Sequence, residues 1–242
     1  MTHGVGITDA KTALDALEDM TLNVQPITLE EYQARVDKAQ TLMRAKGIDA
    51  MYLNAGTNLE YFTGLKWYPS ERLVGAIVPV EGAVTLIAPA FEIGSLTQAM
   101  SLPMKTLLWE EHESPYDYII DFLKENELTK GKLALDESSS YSIVSNLEER
   151  YPAAQMCDAK VITAECRMHK SKAELALIQT AMDMTMAVHR ATGAMLQEGV
   201  TASEVRAFID EAHRKVGASG SFFCIVLFGQ GTSYPHGVSH EQ

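Results

Sequence analysis

The chain has 242 residues, enough for one large domain or two ordinary ones, each with its own core. Apolar residues make up 46% and charged residues 21%, the balance of a soluble globular protein; a formal charge of −12 with no block of Lys and Arg argues against a phosphate-binding surface and hence against a nucleic-acid partner. No apolar run approaches the roughly 20 residues that span a bilayer, and positions 1–22 lack the apolar core of a signal peptide, so the expectation is a cytoplasmic chain with no membrane partner.

In chain order, 8–20 reads as a short helix and 22–27 as a linker containing Pro26. Thr28 and Glu31 form a capping box, in which the hydroxyl and the carboxylate satisfy free amides at a helix start. Tyr32, Val36, Ala39 and Met43 then recur at helical spacing, and Gly47 stops the helix. Positions 48–53 read as a strand, and 73–80 with 83–88 as two more around a Glu81-Gly82 turn. A further strand is expected at 104–109, and Ser114-Pro115 opens a helix with Ser as N-cap and Pro in the first turn. Its apolar face is Tyr116, Ile119, Ile120 and Leu123; a strand at 132–136, a helix at 139–150 and a short strand at 155–158 follow. Strands alternating with helices after a hairpin imply an α/β (α+β) fold, a mixed sheet covered by helices.

A domain boundary is expected between Asp158 and Arg167. Beyond it, Ser171 and Glu174 form a second capping box, and the helix they open is expected to bury Leu175, Ile178, Met182, Met186 and Val188, ending at Gly199. Thr201 and Glu204 form a third box, opening a helix that runs to Val216. After a loop at 217–221, the run Phe222-Phe223-Cys224-Ile225-Val226-Leu227-Phe228 reads as a strand buried on both faces. The resulting division is an arm at 1–27, a first domain at 28–160 and the start of a second at 167–242.

Several residues invite a chemical reading and do not earn it on pattern alone. Cys157, Cys166 and Cys224 fit neither a CxxC clip nor a disulfide framework and read as reduced, mostly buried thiols. Glu110, Glu111, His112 and Glu113 are consecutive, so their side chains diverge, and a solvated charge run is expected rather than a metal cluster. Gly229-Gln230-Gly231 follows a strand pattern but lacks the Gly-Lys-Ser/Thr of a phosphate loop. His189 falls on an apolar helix face and reads as a hydrogen-bonded core histidine, while His240 reads as solvent-exposed.

Three stretches of the first half, Ile48-Asp49-Ala50, Asn58-Leu59-Glu60-Tyr61-Phe62-Thr63-Gly64 and Glu71-Arg72, resemble the creatinase-type N-terminal domain that precedes the catalytic domain in aminopeptidase P and prolidase. Arg167-Met168-His169-Lys170-Ser171 with Glu174-Leu175, then Ile225-Val226 with Gly229, then Pro235-His236-Gly237, resemble the start of a pita-bread metallopeptidase domain of the M24 family. The resemblance implies a metallo-aminopeptidase of the Xaa-Pro aminopeptidase or prolidase type, acting on a peptide substrate with proline at the second position, as a homodimer or higher homo-oligomer. It implies two divalent metal ions (Mn, Co or Zn) held by two Asp, one His and two Glu, all beyond the Pro-His-Gly, so that no metal ligand is assigned within this chain and the chain alone is expected to be inactive. It carries over one catalytic residue, His236, a donor to the substrate or the tetrahedral intermediate. Phe222, otherwise core with Phe223, aligns with an aromatic that walls the substrate pocket. Two alternatives stand beside this reading. One is a creatinase-like, metal-independent hydrolase in which His236 shuttles a proton; the other is a non-catalytic short form acting in binding or oligomerisation.

Overall fold

The computed structural model describes residues 4–242. They form two compact units, Ile27–Lys170 and a second that joins residues 4–26 to Ser171–Gln242. Positions 1–3 of the expected arm lie outside the described residues. In chain order the elements are α1 (Ala10–Asp15), α2 (Leu29–Lys46), β1 (Ile48–Asn54), α3 (Thr57–Thr63), β2 (Gly75–Pro79), β3 (Thr85–Pro89), α4 (Ile93–Ala99), β4 (Lys105–Trp109) and α5 (Pro115–Glu125). They continue with β5 (Lys132–Leu135), α6 (Tyr141–Arg150), β6 (Gln155–Asp158), α7 (Lys160–Arg167), α8 (Lys172–Met195) and α9 (Ala202–Lys215).

The Ile27–Lys170 unit is a six-stranded mixed sheet in the order β4-β3-β2-β1-β5-β6. The hairpin pairs β2 with β3 antiparallel, and β1 lies antiparallel to β2 and parallel to β5. Strands β4 and β6 extend the two edges in parallel. Side chains alternate across β1: Met51 and Leu53 join a core under α2, α3 and α7 with Met43, Phe62 and Ile162. Ala50 and Tyr52 face the opposite core, with Ile119, Ile120 and Leu123 of α5 and Leu147 of α6. Helices on both faces explain why β1 reads as a near-continuous apolar run.

Local chemistry sets the boundaries of α2. The Thr28 hydroxyl accepts from the Glu31 N–H at 3.3 Å, and Gly47 ends the helix at φ 63°, a left-handed conformation that glycine adopts without penalty. Ser114 does stand at the N-cap of α5, yet its hydroxyl makes no capping bond and has no partner. Three helices, α3, α4 and α7, sit where no helix was expected from the sequence. They are seven or eight residues long, too short for a periodic pattern to stand out. Helix α7 carries the unit on to Lys170, because it buries Ile162, Thr163 and Cys166 against the α2 side of the sheet.

In the second unit, α8 packs on α9 and α1 through Met184, Val188, Ala191 and Met195, facing Ala13, Val205, Phe208, Ala212 and Val216. Both expected capping boxes form: Ser171 with Glu174 and Thr201 with Glu204 each exchange reciprocal bonds. The arm is tied on by backbone bonds, Gly6 N–H to Gly193 C=O and Met20 N–H to Val216 C=O, at 3.1 and 3.0 Å.

Four expectations for this unit are corrected. Of the residues expected to be buried on α8, only Val188 is; Leu175, Ile178, Met182 and Met186 are exposed, because they lie on the face opposite the one that meets α1 and α9. His189 is likewise exposed and not a core histidine. Helix α8 ends at Met195, ahead of Gly199, which instead sits in the following turn at φ 91°. Positions 222–228 form no strand, since among the described residues no strand of this unit lies alongside to pair with them; Phe222 and Phe223 are exposed, not core.

The Thr85 hydroxyl on β3 is buried at 1% exposure and has no hydrogen-bond partner. Thr85→Val removes that unmet polar group and suits a strand better, so it should raise the unfolding free energy by about 1 kcal/mol. The urea midpoint reads this directly; a lowered midpoint would mean that the hydroxyl is satisfied in solution.

Candidate functional site

The residues of Pro235-His236-Gly237 come to their position through a chain of local contacts that starts at the end of α9. The Asp210 carboxylate accepts from the Ser221 N–H at 2.7 Å and pairs with Arg214 at 3.1 Å. The Ser221 bond and then the Arg214 bond hold this carboxyl below the usual aspartate range. Positions 222–228 then run without regular structure to a 3₁₀ turn at Gly229–Ser233. A turn follows in which the Gly237 N–H donates to the Tyr234 C=O at 3.0 Å, with Gly237 at φ 99°, a conformation that favours glycine.

The last residues fold back on this segment. The Gln242 carboxamide accepts from the Phe228 N–H at 3.1 Å and donates to the Phe228 C=O at 2.9 Å. Glu241 meets the first turn of α9, accepting from the Ser203 N–H at 3.0 Å and from the Ser203 hydroxyl, with Arg206 at 3.8 Å. A carboxylate is favoured there by the free amides and dipole of a helix start. The Ser203 hydroxyl, and next its N–H, lower the pKa of Glu241.

Between these strands of chain lies a cleft of about 350 Å³ lined by Arg206, Cys224, Val226, His236, His240 and Glu241, among others. His236 is exposed at its rim, and its ring has no hydrogen-bond partner among the described residues. His240 is exposed and lines the same cleft. Desolvation pushes the Cys224 thiol up, against the smaller opposing effect of Arg206. A thiol so placed is a poor nucleophile. Phe222, fully exposed, does not line the cleft. Arg206, Glu241 and Gln242 were not singled out from the sequence. The only local signal for them was the Thr201–Glu204 box, which marks a helix start able to take an anion, while the anion itself arrives from 38 residues away.

Among the described residues no three His, Cys, Asp or Glu side chains gather as a metal-binding group. The run at 110–113 disperses as expected: Glu111 pairs with Arg72 at 2.8 Å, and Glu113 accepts from the Tyr118 hydroxyl at 2.6 Å. No helix of the described residues is long and apolar enough to cross a membrane.

In the Ile27–Lys170 unit, residues that carry the family resemblance from distant positions meet. The Arg167 guanidinium donates to the Asn58 Oδ1 at 2.7 Å, and the Tyr61 hydroxyl donates to the Cys166 C=O at 2.9 Å. Arg35 lies 4.2 Å from the Tyr61 ring centroid and donates to the Tyr61 C=O at 2.7 Å. These contacts seat the end of α7 on α3 and α2.

Residues 35–169 match the family of the Creatinase/Prolidase N-terminal domain. The chain belongs to that family. Residues 176–242 of this creatinase/prolidase chain match Metallopeptidase family M24. It is 28% identical over 205 residues to YkvY of Bacillus subtilis, an alignment covering 84% of this chain and 56% of that one. It is 25% identical over 210 residues to the Xaa-Pro dipeptidase of Pyrococcus furiosus, covering 86% and 56%. Among solved structures, that of dipeptidase PepE from Mycobacterium ulcerans superposes with a TM-score of 0.72 at 23% identity, covering 81% of this chain and 52% of that one, which supports the fold. The chain spans a little over half the length of the curated relatives it matches.

The lowered pKa of Glu241 sets a pH dependence for the folded-back tail. A depressed carboxyl stabilises the docked form above the ordinary glutamate value, and that contribution is lost as pH falls through the lowered one. Followed by NMR, the Glu241 carboxyl should titrate below an ordinary glutamate, and Ser203→Ala should move it back up. An unchanged titration in Ser203→Ala would mean that the carboxylate does not sit on the helix start.

Proposed function

We propose that the activity this chain serves is metal-dependent hydrolysis of the peptide bond before proline, of the prolidase or Xaa-Pro aminopeptidase type. The observation that carries the reading is the succession along one chain of a Creatinase/Prolidase N-terminal domain at 35–169 and a Metallopeptidase family M24 match at 176–242. Similarity to an Xaa-Pro dipeptidase over 210 residues supports proline at the second position of the peptide substrate. Two divalent metal ions, Mn, Co or Zn, supply the activated water in such chemistry. The described residues offer no donor set for them. What this chain contributes is the fold of the N-terminal domain and, at the cleft, His236.

The role assigned to His236 is hydrogen-bond donation to the substrate or to the tetrahedral intermediate. Its ring is unengaged and exposed at the cleft rim, so an N–H is free to meet a substrate oxygen. A donor aimed at developing negative charge lowers the barrier without being consumed. Arg206, whose charge is matched by Glu241 3.8 Å away, adds little net field there.

Two outcomes test the reading. The 242-residue chain by itself, purified and supplied with Mn, Co or Zn, should leave an Xaa-Pro dipeptide at background hydrolysis. Turnover that survives repurification would show a donor set within the chain and overturn the assignment of the metal. In an active assembly containing this chain, His236→Ala should lower kcat on the order of 100-fold with bound metal unchanged. Loss of metal in step with activity would make His236 a ligand.

A further inference from the structure

Residues 4–26 lie outside both family matches, at 35–169 and 176–242, yet they belong to the same compact unit as Ser171–Gln242. The arm is held at two places. At the first, the Gly6 and Thr8 N–H groups donate to the Gly193 and Ala194 C=O, each at 3.1 Å, and the Gln197 side chain donates to the Thr8 C=O at 3.3 Å. Gly193 and Ala194 stand in the last turn of α8, whose carbonyls have no partner further along the helix. At the second, the Met20 N–H donates at 3.0 Å to the C=O of Val216, the residue that ends α9. The short connection 196–201 makes α9 run back along α8, so the two anchors lie at opposite ends of the hairpin. Between them α1 buries Ala13, with Leu14, Leu17 and Met20 packed partly on the α8–α9 core. Both anchors need a glycine. Gly6 and Gly217 have φ 65° and 98°; a Cβ on Gly6 would stand 2.7 Å from the Leu196 carbonyl oxygen, and one on Gly217 would stand 2.5 Å from the Asp19 carboxylate. That carboxylate is itself fixed, since it accepts from the Thr21 N–H and hydroxyl at 2.7 and 2.6 Å.

We propose that residues 6–21 are an intrachain strap that closes on the α8–α9 hairpin and fixes the way the chain leaves α9. The second anchor acts at that exit: Met20 holds Val216, and Asp19 and Thr21 lie against Gly217. Shortly after it, the Ser221 N–H donates to Asp210 at 2.7 Å, the bond from which the segment bearing His236 departs. Both anchors and the apolar contact of α1 sit on one short piece of chain, so losing the middle contact releases the two ends together. Few apolar side chains hold the strap, which places it at the low end of local stability and lets it open while the core of Ile27–Lys170 stays folded. The inference concerns how 216–221 is held and not what His236 does, so it is independent of the peptidase reading and survives its failure.

The experiment is amide exchange on the full 242-residue chain, read residue by residue by NMR. In the unmodified chain the Gly6, Thr8, Met20 and Ser221 amides should be protected, equally at every concentration. Ala13→Asp puts a charge into the apolar contact of α1 and should speed exchange at Gly6, Thr8 and Met20 on the order of 10-fold or more, with Ser221 following. Unchanged protection along β1 in that variant shows that the chain is still folded. Gly217→Ala works from the hairpin side and should release Gly6 and Met20 as well. Gly199→Ala is its control: φ 91° strains an alanine there too, but its Cβ meets nothing within 4 Å, so Gly6 and Met20 should keep their protection. Arm amides that exchange at free-peptide rates in the unmodified chain overturn the strap, as does an equal response to Gly217→Ala and Gly199→Ala. Release of Gly6 and Met20 by Ala13→Asp with Ser221 unchanged overturns the hold on the α9 exit. Arm protection that rises with concentration overturns an intrachain strap, since the arm would then dock on another molecule.

Discussion

The architecture of the Ile27–Lys170 unit depends on β1 having a strand on each side and a helical layer on each face. Its backbone is paired antiparallel to β2 from Ala50 to Asn54 and parallel to β5 up to Tyr52, so its polar groups are consumed within the sheet. That pairing lets a strand with Tyr52 and Met51 wholly removed from water be stable. Each such side chain adds roughly 1.5–3 kcal/mol on burial only because no unpaired amide is buried with it. Strand β2 of the hairpin and β5, reached by the crossover through α5, supply those neighbours. Tyr52 illustrates the cost of position: its hydroxyl, 3.4 Å from the Asn54 Oδ1, is fully enclosed, and desolvation drives its pKa far above the tyrosine range.

The same physical requirement separates what could be read from the sequence and what could not. Elements whose partners are near in sequence were legible. Thr28 and Gly47 bound α2 by bonds within a few residues, and the β2–β3 hairpin is announced by Glu81-Gly82. The strand pattern at 222–228 is equally clear by composition, yet a strand is a relation between two segments, and nothing within the seven residues says whether the second exists. The stripe of α8 misled for the same reason. Leu175, Ile178, Met182 and Met186 make a helical period that identifies a face but not its occupant, while Met184, Val188, Ala191 and Met195 form the face that is packed. Short α7 was hidden because its helix is justified by tertiary contacts, the Asn58–Arg167 and Tyr61–Cys166 bonds, which join positions more than 100 residues apart.

Those two bonds also give physical content to the family resemblance. Asn58 and Tyr61 belong to one stretch of the sequence and Arg167 to another, and each looks like an ordinary surface polar residue in isolation. In the fold they form one joint, with the Arg35 and Arg167 guanidinium groups 4.2 and 5.9 Å from the Tyr61 ring centroid. Arginine suits this joint because its planar head can stack on the ring and still donate in its own plane, as Arg35 does to the Tyr61 C=O and to Glu31. Each makes its contacts within the Ile27–Lys170 unit, so resemblance at these positions speaks for the fold.

The two units therefore differ in how completely they satisfy themselves. In Ile27–Lys170 the apolar faces of the sheet and of its helices are closed against each other. In the other unit α8 is apolar on opposite faces, a pattern that belongs to a helix buried between layers, and one of those faces is bare. Exposed Leu175, Ile178, Met182 and Met186, with Phe222 and Phe223, would each return roughly 1.5–3 kcal/mol to any surface that covered them, a large sum beside the marginal stability of a domain. The fold-back of Glu241 and Gln242 offsets little of this, because it engages the polar backbone at Phe228 and the helix start at Ser203 and leaves the apolar side chains in water. The second unit as described thus carries its unburied apolar area on α8 and at 222–223, while the bonds at Ser203 and Phe228 fix how residues 241–242 are held.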